Sequence, residues 1–282
     1  MDDLIRILGY PFLACLVLMS IHCYLGLHIV TRGVIFVDLS LAQMAALGSS
    51  LALLLGYEIG DTQAYLGGLI FTFVGATLFA LSRMRKEKIP QEAIIGIVYA
   101  VASAATILIL SQSPHGTEHI KAMLDGGLLY VDGYGVLKIL IVYIVIGIFH
   151  YLFRRQFMLI STNPAEALAR GMKIRLWDFL FYITFGFVVT TAVQIVGVLL
   201  VFSYLIIPAV CAMFFTDRII PRLIIGWGIG ILASALGLLI SYYGSSDGLP
   251  SGSSIVVSFG AVFIVAVLLR LLIKRRVITD TD

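Results

Sequence analysis

Charged residues are scarce in this chain. Only 12% of its 282 residues are charged and 60% are hydrophobic, whereas an average soluble domain has about 25% charged residues. The mean hydropathy is +1.05. Apolar runs make up most of the chain, so its length does not indicate separate soluble domains. The sequence therefore predicts an all-α, polytopic membrane helix bundle that forms a single transmembrane domain over residues 1–282.

Cysteine is also scarce. The three cysteines, Cys15, Cys23 and Cys211, all lie inside apolar runs, and none belongs to a CxxC pair. This odd number argues against a disulfide framework, so we expect small, buried, hydrophobic side chains. The opening MDDLIRILGY starts acidic, and no small-residue cleavage site follows the first apolar run. We therefore expect that run to be a permanent helix rather than a signal peptide.

Several catalytic motifs are absent. The chain contains no GxxxxGK[ST] loop, which argues against ATP binding by a P-loop. It also contains no HExxH and no GxSxG motif, and no nucleophile is paired with a base at a recognisable spacing. An enzyme is therefore unsupported, and a chain with so many apolar runs and such short connections favours transport.

Nine apolar runs approach the roughly 20 residues that a helix needs to cross a bilayer core. They cover residues 11–30, 35–57, 64–81, 93–110, 136–153, 177–193, 196–215, 223–243 and 255–273. The sixth and seventh runs are barely separated, so they form either two spans or one span with a broken or re-entrant piece. We expect eight to nine transmembrane helices.

Charges alternate along the connections between these runs. Basic residues follow the first, third, fifth, seventh and ninth runs, at Arg32, 83–88, 154–175, 218–222 and 274–276. The other connections hold six acidic residues and only one basic residue, Lys121. Because basic residues mark cytoplasmic loops, this pattern predicts nine crossings with the N-terminus outside and the C-terminus cytoplasmic.

Small residues recur at four-residue spacing inside two runs. One row is Gly96, Ala100 and Ala104, and the other is Gly226, Gly230 and Ser234. Such rows allow helix backbones to approach closely inside a membrane. They predict a packed bundle rather than independent anchors.

One cytoplasmic segment, residues 161–175, reads STNPAEALARGMKIR. Asn163 is a good N-cap and Pro164 suits the first helical position. Gly171 is a good helix stop. The segment predicts a short helix of about two turns.

The order of motifs resembles the permease subunits of bacterial ABC importers for zinc, manganese and related divalent cations. The resemblance runs from about residue 25 to residue 270. It is carried by TRGVIFVDLSLAQMAALG, PQEAIIGIVYAVASA, NPAEALARGM, VQIVGVLLVFSYLIIPAVCAMFFT and LPSGSSIVVSFG, in that order. Family members usually have Asp-Ala-Leu-Ser-His at the first of these places.

The resemblance implies the type II ABC importer permease fold in a bacterial inner membrane. Two permeases pair, and two copies of a separate ATPase bind beneath them. An extracytoplasmic metal-binding protein delivers the ion, zinc or manganese, which is cargo rather than a tightly bound cofactor. No nucleic-acid partner is implied. The segment 161–175 resembles the coupling helix that contacts the ATPase, with Pro164, Glu166, Ala167 and Gly171 as its candidate residues.

A polar face in the second run is the candidate translocation pathway. Gln43 stands where the resemblance places a histidine, and the nearest acid, Asp38, precedes it by five residues, or about 140° on a helix. Ser40 and Gln43 share a face with Ser50. We predict a pathway through Ser40 and Gln43, with Asp38 near its inner end. A helix N-terminal acid is the alternative for Asp38 and an interhelical hydrogen bond the alternative for Gln43.

A second candidate site lies in the long outer connection. His115 and His119 are four residues apart, and Glu118 adjoins His119, so on a helix these side chains lie close together. They predict a divalent-cation site at the outer mouth, or otherwise an exposed polar loop. Elsewhere, His28 and His150 lie near inner helix ends, where we expect them to be interfacial.

Two other classes of transporter stay open. A permease for siderophores or cobalamin has a related fold but needs a wide, less polar cavity for its larger cargo. A stand-alone channel or ion-coupled carrier needs no ATPase. A neighbouring gene for a P-loop ATPase and another for a lipoprotein receptor would favour the metal importer.

Overall fold

The computed structural model describes residues 2–58, 61–83, 89–113, 116–245 and 249–279. The described residues form eleven α-helices, one 3-10 turn at Leu128–Tyr130 and no strand. The helices are α1 Asp2–Arg32, α2 Val37–Leu54, α3 Thr62–Ser82, α4 Gln91–Leu110, α5 Gly116–Asp125, α6 Gly133–Leu152, α7 Arg154–Thr162, α8 Pro164–Ala169, α9 Ile174–Met213, α10 Ile219–Tyr243 and α11 Ser251–Thr279. The predicted all-α bundle is confirmed.

Eight of the described helices are long and apolar enough to cross a bilayer: α1, α2, α3, α4, α6, α9, α10 and α11. The expected number of eight to nine is therefore confirmed. The other three are short, and they occupy connections between the long helices.

The longest helix, α9, contains two antiparallel halves. Phe181 lies 5.7 Å from His28 between ring centroids, and Gly26, two residues earlier in α1, packs against Leu205 and Ala209. An unbroken helix would place Phe181 and Ala209 about 42 Å apart, yet both reach the same part of α1. The chain therefore reverses within α9, so its described part contains nine long apolar helical segments.

Gly197 is the point of reversal. Its φ of 76° and ψ of 165° lie outside the helical region, in backbone space that only glycine adopts at low cost. The turn also packs tightly against the end of α5, because Gly127 N donates to Ile195 O at 2.9 Å. We call residues 174–196 α9a and residues 198–213 α9b.

The two ends of the bundle differ in charge. Arg32, Arg83, Arg170 and Arg222 lie at one end, which we call the basic end, and Asp61, Asp125 and Asp132 lie at the other, the acidic end. Contacts between helices fix this arrangement: Arg32 and Arg83 meet at Asp178, while Asp125 accepts hydrogen bonds from Ser253.

Helices α1, α2 and α9 form the centre, and most of their residues are buried within the chain. Small residues permit this packing. Gly226 lies against Cys23 and Pro208, and Gly230 lies against Met19. The prediction of close packing along the row containing Gly226 and Gly230 is confirmed. Gly96, in the other row, has open space where a side chain would stand.

Candidate functional site

The start of α2 is tied to the start of α4. Phe36 N donates to Glu92 Oε1 at 2.9 Å, and Asp38 Oδ1 accepts from the N–H of Leu39 at 2.6 Å. Asp38 and Glu92 also lie within electrostatic range of each other. Two carboxylates therefore lie near the start of α2, at the basic end. Glu92 was not predicted as a site residue, although its place one residue after the helix start is a recognisable signal.

The predicted polar face of α2 is enclosed by protein. Ser40 is 0% exposed, Gln43 is 5% exposed and Asp38 is 1% exposed. Ser40 Oγ has no hydrogen-bond partner in the described part of the chain. Ser40 and Gln43 are about 60° apart around the helix axis, whereas Asp38 is about 160° from Ser40. The structure thus places Asp38 on the side of α2 opposite Ser40, whereas Ser40 and Gln43 share a face.

The predicted short helix in residues 161–175 is present as α8. Asn163 Oδ1 accepts from the N–H of Glu166 at 3.1 Å, and Asn163 Nδ2 donates to Glu166 Oε2 at 3.1 Å. The first bond satisfies the backbone N–H of Glu166 at the helix N-terminus, and the second holds the two side chains together. Pro164 occupies the first turn, and Gly171 ends the helix with a φ of 75°. Ala167 is fully buried, so α8 is anchored on its inner face.

Helix α7 was not predicted. It begins at Arg154, directly after α6, and includes Ser161. The segment 161–175 therefore starts inside a helix rather than in a loop. Ser161 is buried, and its hydroxyl donates to Phe157 O at 2.9 Å. The side of α7 that bears Ser161 thus faces the bundle.

A buried ion network connects α7 to the bundle centre. Arg32 Nη1 donates to Asp178 Oδ1 at 2.9 Å, and Arg83 Nη1 lies 2.7 Å from Asp178 Oδ2. Arg32 Nε also donates to Ser161 Oγ at 2.8 Å. The guanidinium of Arg32 lies 4.0 Å from the ring centroid of Phe181. One side chain thus joins α1, α7 and α9a.

Comparison with known proteins identifies the family. Residues 6–270 match the ABC 3 transport family. The chain belongs to this family. As a member, it is a multi-pass permease of an ABC transporter.

Two curated relatives of this ABC 3 permease cover most of both chains. The manganese import system permease protein ScaB of Streptococcus gordonii is 27% identical over 248 residues, or 86% of this chain and 83% of the relative. The manganese transport system membrane protein MntC of Listeria monocytogenes is 27% identical over 248 residues, with 85% of each chain covered. In structure, the chain is similar to one in PsaBC from Streptococcus pneumoniae in complex with Fab, with a TM-score of 0.77, 23% identity and 94% of each chain covered. That likeness supports the fold.

The ABC 3 permease also has a buried histidine cluster. His28 and His150 lie near the ends of α1 and α6, and each is 2% exposed, so neighbouring helices enclose both side chains. Helices α6, α7 and α9a cover them: the ring of His150 stacks on Phe157 with a centroid distance of 4.4 Å. Tyr24 lies between the two histidines, with centroid distances of 4.7 Å to His28 and 5.6 Å to His150.

Each buried histidine forms one side-chain hydrogen bond, and the hydroxyl partner's own donation indicates which ring nitrogen carries the proton. When Ser161 gives its single hydrogen to Phe157 O, His28 Nδ1 donates to Ser161 Oγ at 2.8 Å. Thr184 likewise donates to a backbone carbonyl, so His150 Nε2 donates to Thr184 Oγ1 at 2.8 Å. His28 Nε2 and His150 Nδ1 are left as acceptors without a partner among the described residues.

The predicted outer metal site falls partly outside the described residues. His115 lies outside them, whereas Glu118 and His119 lie on α5 near the acidic end. Glu118 is exposed and His119 is half-buried. The described part of the chain contains no group of three or more His, Cys, Asp or Glu residues arranged to hold a metal ion. The set of His115, Glu118 and His119 stays a prediction.

Proposed function

We propose that this ABC 3 permease imports a divalent transition-metal ion, with manganese as the leading candidate. The observation that supports this most directly is the family match over residues 6–270 together with two relatives named for manganese import. The permease acts as a pair with a second copy of itself. An extracytoplasmic metal-binding protein delivers the ion.

Energy for import comes from a separate ATPase subunit in this proposal. The sequence has no P-loop of its own. Helix α8 receives the ATPase, because it is short, capped and anchored by the buried Ala167. From α8, motion reaches the bundle through Ser161, Arg32 and Asp178, which are joined by direct hydrogen bonds. Glu166 remains partly exposed at this surface and contacts the ATPase.

The ion passes along the Ser40 and Gln43 face of α2 and leaves near Asp38 and Glu92. All four side chains offer oxygen donors, which suit harder ions such as manganese better than zinc. Gln43 replaces the histidine of related permeases and thereby removes a nitrogen ligand that favours zinc. Ser40 Oγ has its hydrogen-bonding capacity unused among the described residues, which supports a role in contacting a passing ion or its water.

The basic end of the bundle faces the cytoplasm in this proposal, because basic residues are enriched in cytoplasmic loops. The nine crossings then place the N-terminus outside and the C-terminus inside. Helix α8 lies at the basic end with Arg170, where an ATPase can reach it. The acidic end, with Asp61, Asp125 and Asp132, faces the delivery protein and attracts cations.

Uptake in cells tests the proposal. A strain lacking the gene is complemented with the wild-type gene, and cellular manganese, zinc, iron and cobalt are measured together by elemental mass spectrometry. We expect complementation to restore manganese most strongly and only when the ATPase gene is present. Restoration of a chelated iron complex without any free-ion effect would instead favour a siderophore-type permease. Restoration without the ATPase would favour a stand-alone carrier.

A further inference from the structure

A large cleft opens between α6 and α10 at the basic end. Its volume is about 1800 Å³. Helix α1 forms its floor through Tyr24, and α7 closes one side. Its walls are mainly apolar and aromatic, with Trp177 and Trp227 among them. The indole of Trp227 donates to Ser20 O at 3.3 Å and fixes α10 against α1.

The cleft extends from the basic end toward the membrane centre. On α6, Tyr143, Gly147 and Tyr151 line it at four-residue intervals, a span of about 12 Å along the helix. On α10, the lining from Ile219 to Trp227 has about the same length. Gly147 has no heavy atom within 4 Å of the position that a side chain would occupy. The cleft is therefore unfilled beside Gly147, in a channel between α6 and α10 that a larger side chain would occupy.

Positive charge is concentrated at the mouth of the cleft. Four arginines line it, Arg154, Arg155, Arg170 and Arg218, against one acid, Asp217. Asp217 is paired with Arg222 and Arg170 with Glu166. The side chains of Arg155 and Arg218 are exposed and form no hydrogen bond or ion pair with the described residues. They are available to an anion.

We propose that this cleft binds one anionic phospholipid of the leaflet at the basic end. Arg155 and Arg218 hold the phosphate headgroup, and an acyl chain lies along Tyr143, Gly147 and Tyr151. An apolar groove that ends in unpaired cations at membrane-interface depth matches such a lipid in shape and in charge. The proposal does not depend on which ion the permease carries.

Lipid titration tests the proposal on the full-length permease assembled with its ATPase. The complex is titrated in detergent with phosphatidylglycerol or phosphatidylcholine, and bound lipids are counted by native mass spectrometry. We expect one phosphatidylglycerol to bind at least tenfold more tightly than phosphatidylcholine. The double variant Arg155→Gln/Arg218→Gln should lose that preference. Equal binding of the two lipids to the wild type would overturn the proposal.

Two matched variants control for general effects. Lys173→Gln/Arg175→Gln removes the same two positive charges from exposed residues at the basic end outside the cleft, and we expect it to keep the preference. Gly147→Leu fills the channel, whereas Gly228→Leu adds the same group to an open position outside the cleft. Only Gly147→Leu should weaken binding, by about tenfold. The cleft would be rejected as the lipid site if the charge control lost as much lipid preference as Arg155→Gln/Arg218→Gln. Equal weakening of binding by Gly147→Leu and Gly228→Leu would also reject it.

A control titration with a soluble anion tests whether the cleft recognises a whole lipid or only its phosphate headgroup. Glycerol phosphate is added in place of the lipid at the same concentrations. We expect no adduct, because the apolar walls contribute only when an acyl chain is present. Binding of glycerol phosphate as strong as that of phosphatidylglycerol would contradict a lipid site.

Discussion

Arg32 and Asp178 form an ion pair in the interior of the bundle, with Nη1 and Oδ1 2.9 Å apart. The side chain of Arg32 is 2% exposed and that of Asp178 is 0% exposed. The pair connects the end of α1 to the start of α9a. Arg32 also hydrogen-bonds to Ser161, so removal of the carboxylate affects α7 as well as α9a.

Asp178→Asn should destabilise the permease strongly. Breaking a buried pair by removing one partner costs about 3–5 kcal/mol, because the remaining charge is left buried. Here both Arg32 and Arg83 lose their counterion. We expect a large drop in the midpoint of thermal unfolding in detergent. Asp217→Asn is the control: the Asp217 carboxylate that pairs with Arg222 is fully exposed, so its loss should change the midpoint little. Equal midpoints for the two variants would contradict this account.

Gly197→Ala should disrupt the reversal in α9. The new methyl group would meet Leu124 O and the backbone of Asp125 and Gly126 at less than 3 Å, in addition to the cost of a positive φ for alanine. We expect much less folded protein after membrane extraction, measured by size-exclusion chromatography.

Gly56→Ala is the control for Gly197→Ala, because it introduces backbone strain without a packing clash. Gly56 also has a positive φ, 89°, but no heavy atom lies within 4 Å of the new methyl group. Strain alone costs about 1–2 kcal/mol. Folded yield should therefore stay close to that of the wild type. A loss as large as that of Gly197→Ala would show that packing against α5 is unimportant.

The sequence predicted the crossings better than it predicted their contacts. Apolar runs 177–193 and 196–215 indicated either two spans or one span with a broken piece, and the charge alternation favoured two. The non-helical backbone of Gly197 lies between the two runs. The caps of α8 were also visible, because Asn163 and Gly171 act through local backbone geometry. Arg32 was interpreted only as a loop charge. Its burial depends on Asp178, which lies 146 residues away, and no local pattern encodes such a partner.

Helix α7 is a second feature that the sequence did not predict, because its helical structure depends on tertiary contacts. Its sequence, RRQFMLIST, starts with two arginines after an apolar run, a pattern that indicates the cytoplasmic end of a span. It is nevertheless helical because Phe157 and Ile160 pack into the bundle. The role of the predicted α2 residues likewise depends on neighbouring helices. Glu92 lies near Asp38 only because the fold brings the start of α4 to the start of α2.

Glu166→Lys should uncouple ATP hydrolysis from transport. The lysine cannot accept from Asn163 Nδ2 and repels Arg170, so the surface of α8 changes in both charge and shape. We expect the ATPase to hydrolyse ATP without metal uptake in reconstituted vesicles. Glu166→Gln is the matched variant: its amide oxygen still accepts from Asn163, and most coupling should remain. Wild-type uptake by the lysine variant would rule out this role for Glu166.

Gln43 should influence which metal is carried. Gln43→Ala removes the oxygen donor from the proposed pathway, and we expect manganese uptake to fall at least severalfold. Gln43→His introduces an imidazole, which suits zinc better than an amide oxygen does, so the ratio of zinc to manganese uptake should rise. Ser50→Ala, on the same side of α2, is the control, because the Ser50 hydroxyl is already bonded to Ala46 O within its own helix. Elemental mass spectrometry of cells expressing each variant at equal levels gives both quantities. Unchanged uptake and ratio in both Gln43 variants would remove Gln43 from the pathway and leave it as a packing residue between α2 and its neighbours.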